Sequence, residues 1–468
     1  MEDEMKIIGE LVSKAKAAQR QVENYTQEQI DEVCYAVGWQ LYKDDNIAAC
    51  AKAAVEETGM GVCEDKIKKH KVKVFGVCRD IRNAKTVGII ERDEAKGITK
   101  YAKPVGVVGA LTPVTNPTAS LGSNGVSVLK GRNAVIFAPH PKAKRASYLA
   151  ADFMRQGLKK IGAPADLVQC IKEPTIQLSQ ELMRQVDLVF ATGGAAMVKA
   201  AYSSGTPAFG VGPGNPVIIV AEDADLADAA DKITLSKTFD NATSCSSENA
   251  VLIHESVYDS MLDEFVRRGG YFCSEEEKKK LEKWMWVENA KTGKVGLNPK
   301  IIAISAKRIA EGSGLSVPDN TRMLMVLGDV PGEGHFSGEK ISPVMTIWKY
   351  RDIDEAMDMV KKIHSYAGLG HSCGLYTFNQ DYIHKAASEL KVSRVLVRQA
   401  HAPSAGGNYY NGMPSTVSLG CGTWGGNITT ENIHWKHFIN LTWLSEPIDG
   451  VNPSEEEIFG KLWEKYGK

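Results

Sequence analysis

From Pro104 onward the chain alternates short apolar runs with helix-length segments, and no other feature constrains its fold as tightly. Val105-Gly-Val-Val-Gly-Ala110, Ala134-Val-Ile-Phe137, Leu167-Val-Gln-Cys-Ile171, Leu188-Val-Phe190 and Val217-Ile-Ile-Val220 are too short for helices and almost free of polar residues. Strands of that kind are buried on both faces, which requires a parallel sheet between layers of helix. A second series follows residue 250: Ala250-Val-Leu-Ile253, Val344-Met-Thr-Ile347, Gly374-Leu-Tyr-Thr377 and Val395-Leu-Val397. The rhythm predicts two doubly wound α/β domains, 1–213 and 214–428, and a segment 429–468 that returns to the first domain or to an oligomer contact.

Three further segments flank this pattern. In residues 1–85, Ile7, Ile8, Leu11 and Val12, then Val33, Val37 and Leu41, recur at helical spacing. Over 86–103, Val87-Gly-Ile-Ile90 and Ile98-Thr-Lys-Tyr101 flank the turn Asp93-Glu-Ala-Lys-Gly97, a β-hairpin suited to pairing across an oligomer interface. Near the end, Pro453-Ser-Glu-Glu-Glu457 starts a helix whose stripe of Ile458, Phe459, Leu462, Trp463 and Tyr466 is expected to dock on the parent fold or a sister subunit. The glycine-rich stretches 204–214 and 404–427 read as places where backbone turns tightly or approaches a ligand.

Composition excludes several classes of partner. Among 468 residues the formal net charge is −1, which leaves no basic surface for nucleic acid. Nine cysteines, odd in number and without a Cys-x-x-Cys pair, fit a reducing cytoplasm and argue against structural zinc. The N-terminus reads as a charged helix rather than a signal sequence, and no apolar run has membrane-span length. Small molecules and further copies of the chain remain as partners.

Cys245 lies in the small, polar segment Asn241-Ala-Thr-Ser-Cys-Ser-Ser-Glu-Asn249, a setting that leaves a thiol approachable as a nucleophile. Asn116 follows the first apolar strand in Thr112-Pro-Val-Thr-Asn116, where a side-chain amide can donate to an oxyanion together with the N–H of the nucleophile. Capping of the next helix is the alternative role for Asn116. Ala191-Thr-Gly-Gly-Ala195, between a strand and a helix, lets a phosphate approach backbone N–H groups. Together these segments suit oxidation of a carbonyl through a covalent thioester.

With Phe209-Gly-Val-Gly-Pro-Gly-Asn-Pro216 and Glu339-Lys-Ile-Ser-Pro-Val344, the order and spacing resemble the aldehyde dehydrogenase superfamily over nearly the whole chain. Hydrolytic members carry a Glu that activates water; Gly210 stands at that position, 35 residues before Cys245 (245 minus 210). A thioester without that base reacts with a thiol in preference to water. Ala138-Pro-His-Pro-Lys-Ala-Lys144, Gly370-His-Ser372 and Leu419-Gly-Cys-Gly-Thr-Trp-Gly-Gly-Asn427 likewise resemble the coenzyme A-acylating branch.

The resemblance implies a Rossmann-like cofactor domain, a catalytic domain and a hairpin oligomerisation element. It implies NAD or NADP as cofactor, coenzyme A as co-substrate, and a cytoplasmic homodimer or homotetramer, with a bacterial enzyme compartment as a narrower location. Cys245 would attack the aldehyde, Asn116 hold the oxyanion, and Glu339 bind the nicotinamide ribose. Thr112, Pro113, Thr115, His140, Pro141, Lys142, Thr192, Gly193, Gly194, Gly212 and Gly214 would border the cofactor. His371 is a candidate base for Cys245 or the incoming thiol.

Arg398, at the end of Val395-Leu-Val397, is the candidate for binding an anionic substrate. With Asn427-Ile-Thr-Thr-Glu-Asn-Ile-His-Trp-Lys-His-Phe438, which resembles acylating sulfoacetaldehyde dehydrogenases, it points to a sulfonated aldehyde, with succinate semialdehyde and then acetaldehyde behind. His434-x-x-His437 lacks an evident third ligand and reads as a helix-surface pair. Cys421 reads as packing. Rival readings are an acyl-phosphate reductase of the same fold and a non-catalytic scaffold.

Overall fold

The computed structural model describes residues 2–289 and 293–468. A hairpin of β1 (Gly88–Asp93) and β2 (Ile98–Pro104) leads into β3 (Val107–Thr112), β4 (Ala134–Pro139), β5 (Val168–Cys170), β6 (Leu188–Thr192) and β7 (Ala208–Val211). Strands β3 to β7 form a parallel sheet in the order β5-β4-β3-β6-β7. Its two windings diverge from β3 and β6, so the crevice beyond their carboxyl ends is open to a ligand. Every residue of β3 and β4 is buried, which accounts for their unbroken apolar sequence. The stretch 204–214, expected to turn, contributes β7 as an edge strand of this sheet.

Four N-terminal helices, α1 (Glu2–Val22), α2 (Gln27–Tyr42), α3 (Asp44–Thr58) and α4 (Cys63–Ile81), and α5 (Pro117–Lys130) share one apolar core with this sheet. Met1, at the head of the expected first helix, lies outside the described residues.

The second sheet contains β8 (Val217–Val220), β9 (Ala250–His254), β10 (Gly270–Phe272), β13 (Met323–Leu327), β14 (Val344–Tyr350), β15 (Cys373–Tyr376) and β16 (Val395–Val397), with the small hairpin β11 (Trp286–Glu288) and β12 (Val295–Leu297) outside it. Its order is β10-β13-β14-β9-β8-β15-β16, all parallel. Strands β10 and β13 extend the sheet beyond the apolar runs read from sequence.

Last comes β17 (Ile439–Ser445), which pairs antiparallel along the free edge of β2, from Ile439 opposite Pro104 to Ser445 opposite Ile98. The hairpin is therefore a three-stranded sheet. Phe438, just before β17, meets Phe190 edge-on at 5.3 Å, a contact worth about 1 kcal/mol beyond area burial that ties the returning segment to the first core. The final helix, Glu455–Tyr466, has the expected capping box of Ser454 and Glu457, but Ile458, Phe459, Leu462 and Tyr466 are exposed. Among the described residues no helix is long and apolar enough to cross a membrane.

Candidate active site

Cys245 sits between the helix Leu226–Thr238 and the amino end of β9. Three successive non-glycine residues ahead of it have left-handed backbone: Asp240 (φ 52°), Asn241 (φ 51°) and Ala242 (φ 60°). Each such residue costs about 1–2 kcal/mol, so surrounding contacts must fix the turn. The buried Asp240 carboxylate supplies them, accepting from Val62 N (2.8 Å), Lys66 Nζ (3.2 Å), Lys69 Nζ (2.6 Å) and Thr243 Oγ1 (2.7 Å). Gly61 permits this approach, because a Cβ there would lie 2.0 Å from Asp240 Oδ1. Burial pushes the Asp240 carboxyl up, but Lys69 and Lys66 more than offset it, and the group stays below the usual aspartate range.

Burial, followed by the Glu339 carboxyl, pushes the Cys245 thiol up to about 12, while the Arg394 cation acts in the opposite direction. The resting sulfur therefore carries its proton. His371 Nε2 is 3.3 Å from Sγ. Burial and then Arg394 hold this imidazole well below the usual histidine range, so it is neutral at rest. On its far side His371 Nδ1 meets Ser372 Oγ at 2.7 Å, which in turn meets His401 Nε2 at 2.8 Å. Gly214 packs against both partners: a Cβ there would lie 2.2 Å from the Cys245 carbonyl oxygen and 2.8 Å from His371 Nε2.

Asn116 occupies the N-cap position of α5, with Pro117 as the first helical residue, yet its side chain makes no capping bond. Its Oδ1 instead accepts from Lys69 Nζ at 2.8 Å, and its Nδ2 reaches only Thr115 Oγ1, at 3.5 Å. Among the described residues no backbone carbonyl accepts the Cys245 N–H, which acts on the residue's own sulfur. Two donors are thus left for an oxyanion.

A cavity of about 440 Å³ joins these groups, lined by Cys245 and Asn116 with Pro113, Thr115, His140, Thr192, Gly193, Gly194, Gly212 and Glu339. Thr112, Pro141, Lys142 and Gly214 are not part of this lining, and Pro141 and Lys142 are exposed. Thr112 is fully buried, Lys142 N donates to His140 Nδ1 at 3.1 Å, and Gly214 N donates to Glu339 Oε1 at 3.4 Å. The first sheet contributes the carboxyl ends of β3, β4, β6 and β7. The second contributes its amino edge, where Gly214, Cys245, Glu339 and His371 precede β8, β9, β14 and β15.

This crevice fits a nicotinamide dinucleotide. A Cβ at Gly194 or Gly212 would meet nothing within 4 Å, and Gly194 opens the helix Ala195–Tyr202 with no side-chain cap, leaving N–H groups for a phosphate. Burial pushes the Glu339 carboxyl up to about 8 against the Gly214 N–H and Lys237, so it can donate as well as accept toward a hydroxyl.

Two expectations are corrected. Arg398, at the carboxyl end of β16, lies on the edge opposite the thiol: its Nη1 donates to the Thr377 carbonyl and its guanidinium lies 4.4 Å from the centre of the Phe378 ring. It does not line the cavity. The arginine that reaches the site is Arg394, at the amino end of the same strand, buried and donating to the carbonyls of His371 (3.1 Å), Gly420 (2.9 Å) and Thr430 (3.2 Å) and to Asn432 Oδ1 (2.7 Å). Gly210, expected beside the thioester, is inside β7; a Cβ there would meet Val198 Cγ1 at 2.8 Å and the Tyr202 ring at 3.0 Å.

Sequence reasoning also missed Lys69, Arg394 and His401, which carry no motif and become visible only through their partners. Glu431 supplies a third side chain beside His434 and His437, lying 3.4 Å from His437 Nε2. Cys421 is buried, as packing requires.

The family profile described as "Aldehyde dehydrogenase family" matches residues 3–417, and the chain belongs to that family. Its relatives include a sulfoacetaldehyde dehydrogenase from Acholeplasma sp, 59% identical over 96% of this chain and 93% of the relative. A sulfoacetaldehyde dehydrogenase (acylating) from Bilophila wadsworthia is 52% identical over 99% of this chain and 100% of the relative. The crystal structure of an acetylating aldehyde dehydrogenase from Geobacillus thermoglucosidasius superposes with a TM-score of 0.91 at 34% identity, covering 97% of this chain and 99% of that one.

Proposed function

We propose that the protein oxidises sulfoacetaldehyde to sulfoacetyl-coenzyme A, reversibly, through a thioester on Cys245. The observation that carries this reading is the Cys245 Sγ to His371 Nε2 contact of 3.3 Å, with the Asn116 amide, whose nitrogen has only a long 3.5 Å contact to Thr115 Oγ1, lining the same cavity. The substrate assignment is supported by the two sulfoacetaldehyde dehydrogenases at 59% and 52% identity.

Because the thiol and the imidazole are both neutral at rest, sulfur attack on the aldehyde carbon is coupled to transfer of the thiol proton to His371 Nε2. The carbonyl oxygen takes the negative charge between Asn116 Nδ2 and the Cys245 N–H. When bound, NAD or NADP supplies the hydride acceptor that converts the hemithioacetal to the thioester, with Glu339 positioned to hold a ribose hydroxyl. Once His371 has released that first proton to solvent, it can take the proton of the coenzyme A thiol as that sulfur displaces Cys245, and return it to the departing Cys245 thiolate. Water is a poor competitor: among the described residues lining the cavity Glu339 is the one carboxyl group, and burial keeps it largely protonated at neutral pH.

The division at 213/214 is supported by the two separate sheets, and a homodimer or homotetramer by the exposed Leu441, Trp443 and Leu444 of β17. A cytoplasmic location, with an enzyme compartment as a narrower alternative, is supported by nine free cysteines.

The test is a panel of sulfoacetaldehyde, succinate semialdehyde and acetaldehyde, each with NAD or NADP, with and without coenzyme A. Coenzyme A-dependent reduction of the nicotinamide with highest kcat/KM for sulfoacetaldehyde is expected. A preference for succinate semialdehyde, or turnover only with an acyl phosphate, would reject the assignment.

A further inference from the structure

The end of the cavity away from the dinucleotide crevice is formed by α4 and α5, which run side by side in the same direction. Lys69 on α4 touches Asn116 at the start of α5, and further along a Cβ on Gly122 would lie 2.8 Å from Val74 Cγ2. Lys73 and Ser120 are each one helical turn beyond the Lys69–Asn116 contact, and both line the cavity.

Their hydrogen bonding sets them apart from their neighbours. Lys69 spends its three N–H donors on Asn116, Asp240 and Thr243. Lys66 is paired with Asp240, and Lys68 is 69% exposed beside Asp65. Lys73 is buried and, among the described residues, donates only to the carbonyl oxygens of Gly406 (2.8 Å) and Gly407 (3.2 Å), with no carboxylate bound and one N–H left over. Ser120 is fully buried, and its hydroxyl has no partner among the described residues.

We propose that Lys73 and Ser120 form the subsite for the anionic group of the substrate, with the ammonium and the hydroxyl both donating to sulfonate oxygens. One helical turn advances about 5.4 Å, of the order of the reach from carbonyl oxygen to sulfonate in a two-carbon aldehyde held at Asn116. A bound sulfonate would give the unpaired cation its counter-charge and the orphaned hydroxyl its acceptor. The site takes over the role that the sequence suggested for Arg398.

This inference rests on the sulfoacetaldehyde reading, and two measurements separate the two. In the intact enzyme, Lys73→Met and Ser120→Ala should lower the ratio of kcat/KM for sulfoacetaldehyde over acetaldehyde, by about a hundredfold and about tenfold respectively. Ethanesulfonate, which cannot react, should inhibit acetaldehyde oxidation by the wild type and do so more weakly in both variants. Ser120→Ala removes only an unpartnered hydroxyl and serves if Lys73→Met fails to fold. An unchanged ratio and unchanged ethanesulfonate inhibition in folded Ser120→Ala would overturn the subsite. If the wild type ignores sulfoacetaldehyde, the substrate reading fails, and the response of ethanesulfonate inhibition to the substitutions still decides the subsite.

Discussion

Lys69 Nζ donates to Asn116 Oδ1 at 2.8 Å, and because an ammonium can only donate, this contact fixes which end of the amide faces it. The nitrogen end is thereby turned away from Lys69, and both residues line the cavity. Lys69 is in turn held by Asp240, the same carboxylate that stabilises the left-handed turn ahead of Cys245. One buried acid therefore anchors both the turn ahead of Cys245 and the lysine that holds the Asn116 amide.

Lys69→Met should accordingly act through Asn116. Asn116→Ala is expected to lower kcat by about 10²–10³-fold, the usual cost of one oxyanion donor. Lys69→Met alone should cost less, and adding it to Asn116→Ala should cost little more. Steady-state kinetics of the four-member cycle check this; fully additive losses would show that Lys69 acts independently.

The thiol should be slow to alkylate in the absence of ligands. With its pKa pushed up to about 12, the thiolate fraction rises about tenfold per pH unit through neutral and mildly alkaline solution. Iodoacetamide inactivation measured from pH 7 to pH 10 should climb at that slope. A plateau near pH 8 would contradict the burial argument.

Gly210→Glu should destabilise the protein without creating a hydrolase. The added side chain would start against Val198 and the Tyr202 ring, an overpacking worth about 1–3 kcal/mol before the carboxyl is considered. Denaturant unfolding should shift to lower concentration, and nicotinamide reduction without coenzyme A should not increase. A gain in hydrolysis would mean that residue 210 does reach the thioester.

Lys73 gives a pH signature. Burial, and then the neighbouring Lys69, lower its pKa to about 8, so the free enzyme carries the cation below that pH and loses it above. The kcat/KM ratio of sulfoacetaldehyde over acetaldehyde should fall about tenfold from pH 7 to pH 9, a comparison that cancels changes at Cys245 common to both substrates. A flat ratio would remove Lys73 from anion binding.

The two parallel sheets were legible because strands buried on both faces must be written as unbroken apolar runs, as in β3, β4 and β8. The segment of Cys245 and the Asn116 amide, for which we propose the roles of nucleophile and oxyanion donor, stood out for a local reason too: each sits in a short polar stretch abutting such a run. β17 was not legible, since its pairing with β2 spans more than three hundred residues and no local pattern specifies a partner that distant.

Sequence by itself determined the α/β class, the place of Cys245 and Asn116 at strand ends, and the glycines that leave backbone open near the crevice. Tertiary structure alone decided which charges face the site. Arg394 and Arg398 flank the same three-residue strand and look equivalent in the sequence, yet the second sheet offers its amino edge to the cavity, so the first reaches His371 and the second rests on Phe378. Gly210 was closed off in the same way by Tyr202, and Lys73 was brought beside Ser120 by the packing of α4 on α5. Side-chain direction relative to a cavity depends on which edge of each sheet meets the other, and that is a property of the assembled layers rather than of any segment.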